Sequence, residues 1–391
     1  MAQTRTITKK KLAALGVLDF ASRALRGVLR PKPPLPGAPR SLLVVEPWGI
    51  GDVVLATALL KALRANFPGA RITLLAKPHA RELLAGSGLV DDIVVFDFPW
   101  TAFTGKLQHN RYVAREFQQL FRALRSHHFD VSLDARRDVR SNVITYLAGA
   151  RRRIGYDFGG GSHLLTDVLP SGTQNEHKVS DWLALLGPLG IEERNGFSPS
   201  LMVTESEKEI ARHRLGALGL STERPIVGVH PGASHMVRHW DPDRFAAVID
   251  RIALERGAQI VLFEEKEGDS AGIAPSAPVQ RIQSDLRGFM ALVTQCDLLL
   301  CSDSGPMHIA SALGVPVTAL FGPQRSEWYG PRGEYDTVVR VEEMACRPCF
   351  DACIFATPHC MEGITTDAVT ETVIAQLDRI ESHNGDVARH G

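Results

Sequence analysis

From Ser41 onward, short apolar runs alternate with longer stretches in which apolar positions recur at helical spacing. That alternation is the signature of stacked βα units. The predicted strands are Leu42–Val45, Ile72–Leu75, Ile93–Phe96 and Val131–Leu133, with helices over Val53–Asn66 and Tyr112–Ser126. A polar passage around residues 194–224, which includes Glu205–Leu218, leads into a second series. There the strands are Ile226–Val229, Gln259–Phe263, Val279–Ile282, Asp297–Cys301 and Val315–Phe321, and the helices Pro242–Arg256, Leu286–Gln295 and Gly305–Leu313. Apolar strands joined by helical crossovers predict parallel open sheets covered on both faces. Two doubly wound domains in tandem, without an internal repeat, are the economical architecture. Ligands of such sheets bind at the carboxyl ends of the strands.

The first 40 residues break this pattern. They hold nine basic residues (Arg5, Lys9, Lys10, Lys11, Arg23, Arg26, Arg30, Lys32, Arg40) against one acid, Asp19. The segment is therefore +8 and the remaining 351 residues −8, within a formal charge of zero. On a helical wheel Asp19, Ser22, Arg23, Arg26 and Arg30 share one face, opposite Ala14, Leu18, Ala21, Leu25 and Val28. A basic amphipathic helix of this kind suits an anionic membrane surface, contacted through residues 1–30. It also fits an Arg-rich transit peptide or a terminal helix docked on the body. The proline-rich run from Pro31 to Pro39 reads as a stiff linker.

With 391 residues, 44% hydrophobic and 23% charged, the chain has globular composition and room for two domains. Dominant disorder and a disulfide framework are excluded. No apolar run approaches the length of a bilayer-spanning helix, and the zero net charge does not suit a general nucleic-acid binder. The expected divisions are residues 1–40 (basic helix and linker), 41–205, 206–345, and 346–391 (cysteine-rich segment and C-terminal helix).

Three loops follow strands and open helices. In Glu46-Pro-Trp-Gly-Ile-Gly-Asp52, Gly49 and Gly51 permit a tight turn with close backbone approach. Asp52 stands at the helix start, where capping alone would also explain it. The loop His230-Pro-Gly-Ala-Ser-His-Met-Val-Arg-His-Trp-Asp241 carries groups compatible with phosphate: the Gly232 amide, Ser234, Arg238 and His239. It also reads as a polar turn whose Trp240 and Asp241 cap the next helix. In Ser302-Asp-Ser-Gly-Pro-Met-His308, Asp303 or Ser304 can cap a helix opened by Gly305-Pro306, whose amides suit a diphosphate, with His308 in the first turn.

In order and spacing these loops resemble the heptosyltransferase family, glycosyltransferase family nine. Its three blocks stand here as Val44 to Val53, as Val229 to Ser234 followed by Arg238-His239-Trp240, and as Ser302 to His308 continuing to Phe321-Gly322-Pro323. The resemblance spans residues 41–375 and implies an α/β fold of GT-B architecture, two Rossmann-like doubly wound domains facing across a cleft. It implies an acceptor-binding N-terminal half and a nucleotide-sugar-binding C-terminal half. The implied reaction is inverting transfer from ADP-heptose to a lipopolysaccharide inner-core sugar, with no cofactor required. The family's general base falls on Asp52. Donor and diphosphate contacts fall on Gly51, Ser234, Arg238, Glu267, Asp303, Ser304, Gly305 and His308. Two departures stand out: Arg238 occupies a position where the family has lysine, and the loop at Phe263-Glu-Glu-Lys-Glu267 replaces a glycine turn. The acceptor would be lipid-linked, and the protein peripheral on the inner face of the cytoplasmic membrane.

Cys346, Cys349, Cys353 and Cys360 are spaced C-x₂-C-x₃-C-x₆-C, with His359 adjacent. A structural Zn²⁺ site, free thiols and a disulfide pair all stay open, and none would enter the transfer chemistry. Cys296 and Cys301 read as core residues. The run Asp134-Ala-Arg-Arg-Asp-Val-Arg140 is a strand-end candidate for anionic acceptor groups or an exposed salt-bridged loop, and Arg151-Arg-Arg153 resembles it. Residues 99–111 read as an insertion that folds over the acceptor. Rival readings are a GT-B transferase using another nucleotide sugar and a non-catalytic nucleotide-sugar-binding module. A nicotinamide-dependent oxidoreductase is disfavoured, because no G-x-G-x-x-G follows the first strand.

Overall fold

The computed structural model describes residues 17, 19–20, 35, 37–98, 100, 114–136, 138–157, 159–170, 176–192, 196–265, 270 and 272–390. The chain divides into two units, Met1–Pro199 and Ser200–Gly391.

The first unit runs β1 (Ser41–Glu46), α1 (Ile50–Asn66), β2 (Arg71–Ala76), α2 (His79–Leu83), β3 (Asp92–Val95), α3 (Ala114–Ser126), β4 (Val131–Leu133), α4 (Val139–Leu147), β5 (Arg152–Tyr156), β6 (Asp167–Leu169) and α5 (Lys178–Ala184). Its sheet is parallel, in the order β3-β2-β1-β4-β5-β6. Leu42 to Val45 of β1 are completely buried, as a central strand covered on both faces requires. Helix α1 buries ten residues from Val53 to Leu63, apolar on nearly every side, and packs against α5. It begins three residues before the predicted Val53. The Gly49 amide, left over at the helix start, donates to the Asp52 carboxylate at 3.1 Å, so the glycine is the N-cap and Asp52 the residue that reaches back to it.

The second unit runs α6 (Glu205–Ala217), β7 (Ile226–His230), α7 (Pro242–Arg256), β8 (Gln259–Glu264), β9 (Val279–Gln283), α8 (Leu286–Val293), β10 (Leu298–Ser302), α9 (Gly305–Ala312), β11 (Val317–Leu320), α10 (Ser326–Tyr329), β12 (Thr337–Val339), α11 (His359–Glu362) and α12 (Thr366–His390). Its parallel sheet has the order β12-β11-β10-β7-β8-β9, the same topology as the first although the sequences show no repeat. Gly228 gives β7 room to pass: a Cβ there would stand 2.9 Å from Phe263 Cε2. Trp240 is core, edge-on to Phe245 at 5.0 Å with its indole N–H donated to the Ile364 carbonyl, while Asp241 caps α7. Helices α7 and α12 pack together, so the cysteine-rich segment and the C-terminal helix belong to this unit.

Elements α2, α4, β5, β6, α5, α6, α10, β12 and α11 go beyond the predicted set. Arg152 and Arg153 are strand residues rather than acceptor-facing loop. Arg152 Nε bonds Asp167 at 3.2 Å, and Arg153 Nη1 donates to the Ala150 carbonyl at 2.9 Å. Of residues 1–30, Val17, Asp19 and Phe20 are described. Asp19 Oδ1 accepts from the Gly161 amide at 2.6 Å, so the segment touches the first unit there, while Val17 and Phe20 are exposed.

Candidate active site

In an open parallel sheet the chain departs in opposite directions from two neighbouring central strands, and the loops leaving them open a crevice. In the first unit those strands are β1 and β4. The register pairs Leu133, the last residue of β4, with Val44. Val45 and Glu46 therefore run on beside the loop that follows β4 rather than beside a strand. Arg136 from that loop turns back to them. Its Nη2 lies 2.8 Å from Asp52 Oδ1 and 3.1 Å from Glu46 Oε1, and its backbone amide donates to Asp134 Oδ1 at 2.9 Å. One guanidinium thus serves the carboxylates at the two ends of the β1–α1 loop, and its residue's backbone is held by Asp134 of its own loop.

The environments of these carboxylates differ. Glu46 is 1% exposed, and burial pushes it up to about 8 from an ordinary 4.5, against the pull of Arg136. Burial likewise raises Asp134 to about 7. Asp52 keeps 23% of its side chain exposed, so of the three it is the one a solute can reach. Above it, the Arg136 guanidinium stands 4.8 Å from the Trp48 ring centroid, and Arg140 lies 5.7 Å from Trp48 and 5.8 Å from Trp100. Arg140 also pairs with Asp138. The Asp134–Arg140 run is therefore a built, partly buried charge cluster and not an exposed salt-bridged loop. The Trp48 indole nitrogen and Asp134 Oδ2 are buried with no hydrogen-bond partner among the described residues. Residues 99–111, expected to cover an acceptor, lie outside the described residues except for Trp100.

In the second unit the diverging strands are β7 and β10, which end at His230 and Ser302. Ser302 Oγ donates to the Pro231 carbonyl at 3.1 Å and ties the two loops together. Helix α9 starts here with Ser304 as N-cap and Pro306 in the first turn. The Ser304 hydroxyl donates backwards to the Ser302 carbonyl, at 3.1 Å, so the N-cap side chain does not cap the first-turn amides. Gly305 occupies the first helical position, and His308 is buried one turn on. Asp303 is buried, which raises it to about 6. Arg238 reaches in from the β7 loop. Its Nη1 lies 3.4 Å from Asp303 Oδ2, and its Nε and Nη2 hold Asp351 at 2.7 and 2.6 Å.

Beside this cluster is a cavity of about 290 Å³ lined by His230, Gly232, His239, Trp240, Phe263, Glu264 and Glu265, among others. Burial depresses His230 to about 4, so it faces the cavity as a neutral imidazole. His239 Nε2 is bonded to the Ala233 carbonyl at 2.8 Å, which folds the loop over. Ser234 is exposed on that loop. Gly51 lies in the first turn of α1 in the other unit, apart in the chain from the remaining donor-site candidates. Glu267 lies outside the described residues.

Arg238 meets Asp303, with Ser304, Gly305 and His308 following it into the first turn of α9, and Asp52 acquires Arg136 and Glu46 as neighbours. Glu46, Trp48 and Asp351 were not singled out from the sequence. A glutamate ending an apolar strand is a readable signal of a buried carboxylate. Asp351, within the cysteine-rich loop, carries none.

Cys346, Cys349, Cys353 and Cys360 are free and, with Arg347 and His359, line a small void of about 10 Å³. Burial pushes Cys360 up to about 11. Among the described residues no group of three or more His, Cys, Asp or Glu side chains is arranged to hold a metal ion, and no thiol pair is joined. The four thiols share a void without forming a coordination set.

Two doubly wound parallel units, one with a carboxylate cluster and the other with an uncapped helix start and a half-buried arginine at its diverging strands, are the make-up of a GT-B glycosyltransferase. The chain belongs to glycosyltransferase family 9 (heptosyltransferase), whose description matches residues 117–357. It is similar to lipopolysaccharide heptosyltransferase 2 of Escherichia coli strain K12, with 26% identity over 318 residues that cover 77% of this chain and 88% of the relative. The solved E. coli ADP-heptose lps heptosyltransferase II shares the fold with a TM-score of 0.69 and 23% identity, over 87% of this chain and 99% of that one. The E. coli heptosyltransferase WaaC, solved with ADP, matches with a TM-score of 0.63 and 19% identity over 86% and 99% of the two chains.

Proposed function

We propose that the protein is an inverting glycosyltransferase that moves a heptose from an ADP-sugar to an inner-core sugar of lipopolysaccharide. The observation that carries this reading is the convergence of Arg238, Asp303 and the uncapped start of α9 beside a cavity of about 290 Å³. An anion fits there because helix amides and a guanidinium both donate to it. In this reading the second unit holds the donor. The nucleoside occupies the cavity, with Glu267 toward the ribose. The diphosphate meets Arg238, Ser234 and the amides of Ser304 and Gly305, while Asp303 and His308 meet phosphate or sugar hydroxyls.

The first unit would hold the acceptor. Inversion asks one carboxylate to take the proton of the acceptor hydroxyl while its oxygen attacks the anomeric carbon opposite the leaving diphosphate. Asp52 takes that role. Its Oδ2 is engaged by the Gly49 amide and its Oδ1 by Arg136, so the carboxylate is oriented from both sides before the acceptor arrives. Gly51 lets the backbone approach the sugars. Charge developing on the departing ADP is met by Arg238 and the helix amides, so transfer requires no cofactor. A structural zinc on Cys346, Cys349, Cys353 and Cys360 is carried by their spacing and shared void alone. Metal analysis of the purified protein tests it: one zinc per chain would support the site, and none would exclude it.

The acceptor is lipid-linked, and we place the protein on the inner face of the cytoplasmic membrane, drawn there by the +8 segment. No described helix is long and apolar enough to cross a membrane. Co-sedimentation with anionic vesicles should be lost when residues 1–38 are deleted, and unchanged binding would refute the attachment.

Single-turnover assays with a panel of nucleotide sugars, on the native protein and on Asp52→Asn, test the whole reading. Turnover of ADP-heptose that disappears in the variant, with ADP binding retained, is expected. Turnover of a different sugar nucleotide would keep the mechanism and change the substrate. ADP binding without turnover on any acceptor would leave a non-catalytic module.

A further inference from the structure

The cysteine-rich segment contributes one carboxylate to the donor loop cluster. Arg238 ends a single 3₁₀ turn, Met236–Arg238, so no helix fixes its side chain. What fixes it is Asp351. Arg238 Nε donates to Asp351 Oδ1 at 2.7 Å and Nη2 to Asp351 Oδ2 at 2.6 Å, a bidentate fork between side chains only 18% and 12% exposed. Its other contacts are long: Nη1 lies 3.4 Å from both the carbonyl and Oδ2 of Asp303. Asp351 therefore occupies the Nε–Nη2 edge of the guanidinium, while Nη1 keeps only the long contacts to Asp303. A carboxylate on the far edge orients an arginine without competing for the phosphate it binds.

The loop that delivers Asp351 is itself restrained. The Cys349 amide donates to the Pro323 carbonyl at 3.2 Å, and Arg347 donates from Nε to the Gly322 carbonyl and from Nη1 to the Val341 carbonyl, at 2.8 and 2.7 Å. Phe350 and Asp351 both adopt left-handed backbone, φ 51° and 67°, a conformation unfavourable for non-glycine residues that persists where its surroundings enforce it. Gln324 adds a long donor to Asp351 Oδ2, at 3.4 Å.

We propose that Asp351 is a positioning residue of the donor site, acting through Arg238 to present its Nη1 edge to the diphosphate. The proposal rests on the reading of Arg238 as a diphosphate contact. It gives the cysteine-rich segment a part in donor binding, which its spacing did not suggest.

Calorimetric titration with ADP, on the full chain and on Asp351→Asn, Arg238→Ala and the double variant, tests it. Asp351→Asn should weaken ADP about tenfold, the scale of one hydrogen bond to a charged group. Arg238→Ala should weaken it at least as much, and the double variant no more than Arg238→Ala alone. In steady-state transfer the donor KM should rise while the acceptor KM stays unchanged, a split that loss of general stability would not produce. Asp351→Glu keeps the charge but displaces the fork, and should lose affinity several-fold where the asparagine variant does not fold. Losses that add in the double variant, or unchanged ADP affinity in both Asp351 variants while Arg238→Ala weakens it, would overturn the proposal. ADP affinity unchanged in Arg238→Ala would instead overturn the reading beneath it, and the proposal with it.

Discussion

Arg136 Nη2 lies 2.8 Å from Asp52 Oδ1, across 84 residues of sequence, and the same nitrogen lies 3.1 Å from Glu46 Oε1. The predicted base therefore does not stand alone at its helix start. It shares a cation with a buried carboxylate on the strand that precedes it.

Removing that cation leaves the Asp52 carboxylate without its counter-charge, beside a Glu46 that burial keeps mostly protonated at neutral pH. Losing a hydrogen bond to a charged group costs about 1.5–3 kcal/mol. Arg136→Gln should lower unfolding stability by that order in urea titrations, and Arg136→Lys should recover part of it, because a point charge cannot serve both carboxylates as a fork does.

Asp52→Asn keeps the size of the side chain and removes its capacity to accept a proton. Transfer should fall by about 10²–10⁴-fold, with ADP affinity unchanged because none of the residues around Arg238 is touched. Single-turnover kinetics alongside ADP titration measure both. Full activity in the variant would remove Asp52 from the chemistry.

Burial raises Glu46 to about 8 from 4.5, so the folded chain holds this proton more tightly than the unfolded one. Its contribution to stability is complete below about pH 4.5 and is lost as pH rises through about 8. Glu46→Gln cannot ionise. Its melting temperature should decline less than that of the native protein between about pH 5 and 8, and parallel declines would show that Glu46 does not titrate in that range.

A methyl group added at Gly228 would meet Phe263 at 2.9 Å, and Cys296 Sγ and Leu299 Cδ1 at 3.2 Å each. Overpacking of this kind costs about 1–3 kcal/mol. Gly228→Ala should lower the melting temperature accordingly, and should also weaken ADP binding, since β7 carries His230 to the edge of the cavity.

How much was legible depended on whether the signal was local. Strands β1, β7 and β10 are apolar runs and were readable as such. Strand β5 was not, because it opens on Arg152 and Arg153, whose charges are answered by Asp167 and by backbone carbonyls some distance along the chain. Strand β12, Thr337–Val339, is too short an edge element to stand out. The start of α1 was set late because the partner of the Gly49 amide is a side chain three residues on. The three glycine-bearing loops showed themselves through turn residues at strand ends. The cations and carboxylates that complete them did not.

The sequence by itself determined the two βα series, the loops at their strand ends and the family they resemble, because apolar period and turn chemistry are properties of neighbouring residues. Only the tertiary structure decided that Arg136 belongs to Asp52 and Glu46, and that Asp351 belongs to Arg238. Those pairings depend on which strand ends a parallel sheet brings side by side. They depend also on which charges lie too deep in the protein to be neutralised by water, and so must be matched by one another.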